Sequence, residues 1–241
     1  MCGRYTLTRH DVVAEELQAA LGTAPENEWW KPRFNVAPTQ PAPVITLHDG
    51  VRTIDMMRWG FLPHWAAPGK QGKEGKRDAR PPLMINARTE SLFAKAWFRD
   101  AMARKRCLVP ADGFFEWRRE AKVKGQKAAT PLPVYFHRAG RKMFAFAGLW
   151  ARLRTDAGEQ LSFTIITGKP NDLVRPIHDR MPVILDASAW AAWLDPAVDA
   201  EAAKALLAIP ATGDWIGDAV STWVNSAQHD DPRCIEPEAP V

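Results

Sequence analysis

Apolar residues at Val12, Val13, Leu17, Ala20 and Leu21 recur at helical spacing, with Thr8 and Asp11 at capping-box separation before them and Gly22 behind. This pattern predicts an amphipathic helix over 12–21. Further on, the apolar runs 44–47 and 51–57 flank His48-Asp49-Gly50, and Asp-Gly between two such runs signals a hairpin. Residues 107–117 read as a strand broken by Asp112-Gly113. The runs 134–136 and 143–149 read as a second hairpin around Ala139-Gly140, and 161–167 and 181–185 as strands. Helical spacing recurs over 90–104, over 187–194 behind Asp186, and over 199–209. The stretch 66–82 is rich in Gly, Lys and Pro without apolar period and predicts a mobile basic loop, and about 236–241 reads as a tail. Strands outnumber helices and do not alternate with them, so the expected fold is α+β. It is a single domain over 1–241, with a mixed, strongly curved β-sheet core flanked by helices.

Composition changes this picture in one respect. At 241 residues and 46% hydrophobic the chain has ample material for a core, and its net charge is only +4. That charge is unevenly spread, with a local +12 over 69–142 and −9 over 156–241. A basic segment interleaved with Trp and Phe suits a polyanion, because phosphates supply most nucleic-acid affinity. A solvated basic face without a partner has the same composition. Eleven Trp residues add stacking capacity for unpaired bases, although core packing is the commoner use of Trp. No leader-like or bilayer-length apolar run is present, and the three cysteines show no CxxC spacing. The expectation is a cytoplasmic, monomeric protein with no membrane association, no metal and no cofactor. The six His show no HxxxH or HxH spacing, and no phosphate-binding Gly-rich loop is found.

Candidate chemistry begins at the second residue. Removal of Met1 would leave Cys2 with an α-amine and a thiol on adjacent carbons, with reference pKa values of about 8 and about 8.5. A small residue in a frayed terminus is the alternative. Asn86 precedes a helical stretch, where a turn or cap Asn is common. Glu116 interrupts an aromatic strand, and alternation leaves open whether it faces solvent or is buried with a perturbed pKa. His178 lies in a polar loop, as a surface His would. Arg4 and Arg88 lie beside two of these positions and suit anion contacts.

The segments MCGRY (1–5), RFNVAPTQ (33–40), WGFLPHW (59–65), INARTES (85–91), ADGFFEW (111–117) and IHDRMPVIL (177–185) together resemble the SOS-response-associated peptidase (SRAP) family. Members of that family link covalently to abasic sites in single-stranded DNA. The resemblance runs from residue 2 to about 236. It departs from the family in a longer lysine-rich loop over 66–82 and in Phe34 where Tyr is common. It implies catalytic roles for Cys2, Asn86, Glu116 and His178. It also implies a DNA surface of Arg4, Asn35, Pro38, Trp65, Arg88, Trp117, Thr167 and Arg180, nucleoid association when bound, and abasic single-stranded DNA as partner. A terminal Cys suits this chemistry: its amine condenses with the open aldehyde, and its thiol closes a five-membered thiazolidine on the iminium carbon. The competing readings are a cysteine peptidase or N-terminal-nucleophile amidohydrolase, and a plain single-strand binding module.

Overall fold

The computed structural model describes residues 2–63, 83–118, 130–156, 158–208 and 213–238. The expected basic loop over 66–82 lies outside them. Fourteen strands are described, and they form two sheets. The first sheet contains β1 (Arg4–Leu7), β3 (Arg33–Val36), β8 (Gly113–Arg118), β9 (Leu132–Arg138) and β14 (Trp215–Ala219), in the order β14-β9-β8-β1-β3 with every neighbour antiparallel. The second holds β2 (Ala20–Leu21), β4 (Pro41–His48), β5 (Val51–Trp59), β6 (Asn86–Arg88), β7 (Arg106–Ala111), β10 (Phe144–Thr155), β11 (Gly158–Gly168), β12 (Met181–Pro182) and β13 (Ile184–Leu185). Its main path runs β12-β11-β10-β7-β4-β5-β2, and β11 pairs back onto β5, Phe163 opposite Trp59. Strands β5, β4, β7, β10 and β11 therefore close a ring. Parallel β2–β5, β5–β11 and β6–β11 pairs among antiparallel ones make the sheet mixed, so the strongly curved α+β core is observed.

The hairpin around Asp49-Gly50 is present: His48 pairs with Val51, and the two turn residues take φ of 48° and 80°, as a tight primed turn needs. Five other expectations are corrected. The helix over 12–21 shrinks to α1 (Val13–Glu16), because the Thr8 hydroxyl bonds Asp112 at 2.6 Å instead of capping. Gln18 then turns to φ 50°, and Ala20–Leu21 pairs with β5 as β2. The helix over 90–104 is only α2 (Ala96–Arg104), preceded by a 3-10 turn at Thr89–Ser91. The hairpin around Ala139-Gly140 does not form: β9 pairs within the first sheet and β10 within the second, with Gly140 (φ 68°) turning the chain between them. The helix over 199–209 is α4 (Ala200–Leu206), capped by the Asp199 side chain on Ala202 N at 2.8 Å. The helix behind Asp186 is a 3-10 turn at Ala187–Ala189 running into α3 (Trp190–Leu194).

The break at Asp112 is a change of sheet. Its buried carboxylate accepts from Thr6 Oγ1 at 2.5 Å, from Thr8 N and Oγ1 at 2.6 Å, and from Arg9 N at 3.1 Å, which pins β1 beside β8. The two sheets bury Tyr5, Val36, Phe114 and Phe136 against Trp59, Phe146, Phe163 and Ile165, and Cys2 belongs to this core. The outer face of the first sheet packs Phe115 and Tyr135 against Val220, Val224, Cys234 and Ile235 of the C-terminal segment. No described helix is long and apolar enough to cross a membrane.

Candidate active site

Five segments converge where the first sheet meets the ring. Cys2 leads into β1, whose Arg4 lies opposite Phe115 of β8. On β8, Phe114 faces the inter-sheet core and Phe115 the C-terminal segment, so Glu116 falls on the inner side with Phe114. It is 1% exposed, which settles the question that alternation left open. Asn86 is neither a turn nor a cap residue but starts β6, where Asn86 lies opposite Ile165 and Arg88 opposite Thr167 of β11. Ile165 packs in the same core as Cys2, whereas Ala87 and Ile166 face the other core. Asn86, Arg88 and Thr167 thus share the Cys2 side. His178 and Arg180 arrive from the irregular segment before β12.

The geometry couples these groups. His178 Nε2 lies 3.9 Å from Glu116 Oε2. His178 Nδ1 lies 3.0 Å from Arg180 N, 3.2 Å from Arg180 O and 3.1 Å from Asp179 Oδ1, which fix the ring with Nε2 toward Glu116. Burial pushes the Cys2 thiol well above its ordinary range, and the charge of Glu116 pushes it further. The Cys2 thiol is fully buried and donates to Arg4 O at 3.8 Å. Among the described residues, neither polar atom of the Asn86 side chain has a hydrogen-bond partner, nor does Thr167 Oγ1, although all three are shielded from solvent. A buried polar atom left so costs about 1–3 kcal/mol unless a water or a ligand supplies the missing bond.

The remaining expected contacts divide into two sets. Arg88 is exposed and Arg180 half-buried, with Arg180 Nη1 donating to Glu90 Oε1 at 2.5 Å. That bond holds the Glu90 carboxyl below its usual range. Arg4 and Asn35 are instead committed internally. Arg4 Nη1 donates to Asn35 Oδ1 at 3.0 Å and Val224 O at 2.9 Å, while Asn35 Nδ2 donates to the carbonyls of Val224, Ser226 and His229. Trp117 is half-buried; its indole donates to Asn225 Oδ1 at 2.7 Å, and the Arg4 guanidinium sits 6.0 Å above its ring. Pro38 is half-buried in a tight turn where Thr39 takes φ 76°. Trp65 lies outside the described residues. Sequence reasoning missed Asn225 and Glu90. Glu90 lies within INARTES, two residues from Arg88, but only the fold brings it to Arg180; nothing local distinguishes Asn225. No group of three or more metal-ligating side chains occurs among the described residues.

A buried thiol, a buried carboxylate and a histidine thus meet where the first sheet packs on the ring of the mixed second sheet. The sequence profile of the SOS response associated peptidase (SRAP) family matches residues 1–227, and the chain belongs to that family. It is 37% identical to the abasic site processing protein YoqW of Bacillus subtilis, over 98% of this chain and 99% of that one. It is 29% identical to the abasic site processing protein HMCES of Gallus gallus, over 98% of this chain and 78% of that one. A solved structure from Bacteroides thetaiotaomicron shares the fold with a TM-score of 0.78 at 24% identity, over 99% of this chain and all of that one.

Proposed function

We propose that this protein processes abasic sites in single-stranded DNA by capturing them covalently on Cys2 after loss of Met1. The observation that carries the reading is the convergence of a buried Cys2, a Glu116 carboxylate charge-coupled to it, and His178 3.9 Å from that carboxylate. The names of the relatives in Bacillus subtilis and Gallus gallus support the substrate class. The α-amine of Cys2 condenses with the C1′ aldehyde of the opened sugar, forming C=N and releasing water. The thiol sulfur then adds to the imine carbon while its proton passes to nitrogen, which closes the thiazolidine. No oxidant or reductant is consumed. Closure removes the iminium that would drive β-elimination, so the strand stays intact.

Glu116 takes the proton that the ammonium must lose before it attacks, and His178 supplies or receives the proton at the sugar oxygen. Asn86, whose polar atoms are otherwise unmatched, holds the sugar. The raised thiol pKa suits this order of events: the thiol stays protonated until the amine has reacted. Arg88, Arg180 and Trp117 face the strand, and Arg4 and Asn35 shape the surface beneath it. An incubation with an abasic single-stranded oligonucleotide, read on a denaturing gel, tests the reading. Wild type should shift and Cys2→Ser should not form a heat-stable adduct. A Cys2→Ser adduct equal to that of wild type would falsify the thiazolidine. A peptidase reading would instead be supported by peptide cleavage with no shifted band.

A further inference from the structure

Glu90 stands outside the set that converges on Cys2, yet one residue joins it to that set. It lies on the 3-10 turn Thr89–Ser91 that follows β6, and Arg180 lies directly before β12. Parallel pairing of β6 with β11 puts Arg88 opposite Thr167, and antiparallel pairing of β11 with β12 puts Met181 opposite Gly168. The two segments therefore meet at one end of the sheet, where Arg180 Nη1 donates to Glu90 Oε1 at 2.5 Å. Glu90 Oε2 accepts from the Thr89 hydroxyl at 3.3 Å, which braces the carboxylate on its own turn. Arg180 is engaged at its other end as well, with its N and O 3.0 and 3.2 Å from His178 Nδ1. One residue thus has its side chain held by Glu90 and its backbone set against the imidazole whose Nε2 lies 3.9 Å from Glu116.

We infer that Glu90 is a positioning residue for His178: by holding the Arg180 guanidinium it fixes the 178–180 turn and so aims the imidazole for proton transfer. The inference rests on His178 acting in capture, as proposed above, and adds the residue that orients it. Two physical points separate positioning from its alternatives. The Glu90 side chain is 51% exposed, and an exposed ion pair contributes only about 0–1 kcal/mol, so a purely stabilising role leaves little to lose. Glu90 also takes only one nitrogen of the guanidinium. Among the described residues Arg180 Nε and Nη2 make no hydrogen bond, so the edge that meets a phosphate bidentately stays open. A carboxylate competing with phosphate would have to be displaced before a strand could bind; Glu90 can keep its bond while the strand is bound.

Single-turnover capture of an abasic single-stranded oligonucleotide, measured across protein concentration, separates the saturated rate from the half-saturating concentration. Glu90→Ala should lower the saturated rate about tenfold, inside the roughly hundredfold loss that a misplacement of about 1 Å can cause. Its melting temperature should stay within a few degrees of wild type. Glu90→Gln keeps an acceptor for Arg180 Nη1 and should recover most of the lost rate. In an Arg180→Ala background, Glu90→Ala should slow capture no further, as expected of two residues acting through one contact. The ring nitrogen shifts of His178 give a readout that involves no capture. Read by NMR on DNA-free protein and assigned with His178→Gln, they should move in Glu90→Ala and return toward wild type in Glu90→Gln. The shifts of His48, His137 and His229 should stay in place. An unchanged saturated rate in Glu90→Ala, alone or with tighter binding, overturns the inference, and so do unmoved His178 shifts. If wild type captures nothing, the functional reading falls, and the ring shifts still decide whether Glu90 orients His178.

Discussion

Glu116 occupies one of the few buried acidic positions in the chain, on the inner face of a strand and within charge range of a buried thiol. That placement gives Glu116→Gln two opposite effects. Loss of the proton acceptor should slow single-turnover crosslinking within the roughly 10²–10⁴-fold range of proton-transfer groups. Loss of the negative charge should make the Cys2 thiol easier to ionise, so alkylation by iodoacetamide at pH 8–9 should speed up in the variant. A solvated structural glutamate would change neither rate. The same burial makes the raised thiols of Cys2 and Cys107 sensitive to alkaline pH. A folded-state pKa above the unfolded value contributes stability that is intact below about 8.5 and is lost as pH rises through the folded value. Melting temperature should therefore fall on the alkaline side, and less so in a Cys2→Ala, Cys107→Ala double variant. The candidate residues were legible through the resemblance of their motifs to the family, not through spacing or composition. The burial of Glu116 was not, since alternation in FFEW fits either face until β9 and the C-terminal segment take one of them.

At the scale of elements, the C-terminal segment does more than end the chain. Asp230 accepts from Phe34 N at 2.6 Å and Asn35 N at 2.9 Å and pairs with Arg33, tying the segment to β3. Asn225 then fixes Trp117 through the indole N–H and Arg4 through its carbonyl at 3.4 Å. Asn225→Leu should loosen Trp117, shifting its fluorescence and weakening single-strand binding several-fold. Asn225→Asp retains an acceptor oxygen and should restore both; a purely structural role would show no such rescue. The tight Asp49-Gly50 hairpin was legible because both its strands and its turn are local. The false hairpin at Ala139-Gly140 had the same local signals. Only the choice of partners, β8 for one strand and β7 and β11 for the other, separates them, and partner choice is a property of the assembled sheets.

For the whole molecule, the lopsided charge remains the broadest signal of a polyanion partner, although half of the +12 over 69–142 falls on residues 69–82 and 119–129, outside the described ones. What the fold adds is a division among the arginines. Arg4 is bound into the interior, so Arg4→Ala should lower the melting temperature. Arg88 is exposed and Arg180 is half-buried against Glu90, and each single-strand phosphate contact contributes a log–log salt slope of about −0.7. Arg88→Ala with Arg180→Ala should therefore flatten the slope by on the order of 1.4 with little loss of stability. An unchanged slope would put the strand on another face.

Peptide mass spectrometry of the isolated crosslink measures directly whether the processed N-terminus is the nucleophile. After nuclease and tryptic digestion without borohydride, the sugar remnant should lie on Cys2-Gly3-Arg4, lacking Met1, with a mass increase equal to the open sugar less one water. A remnant on a lysine of the basic segment, or one that survives only after borohydride reduction, would contradict it.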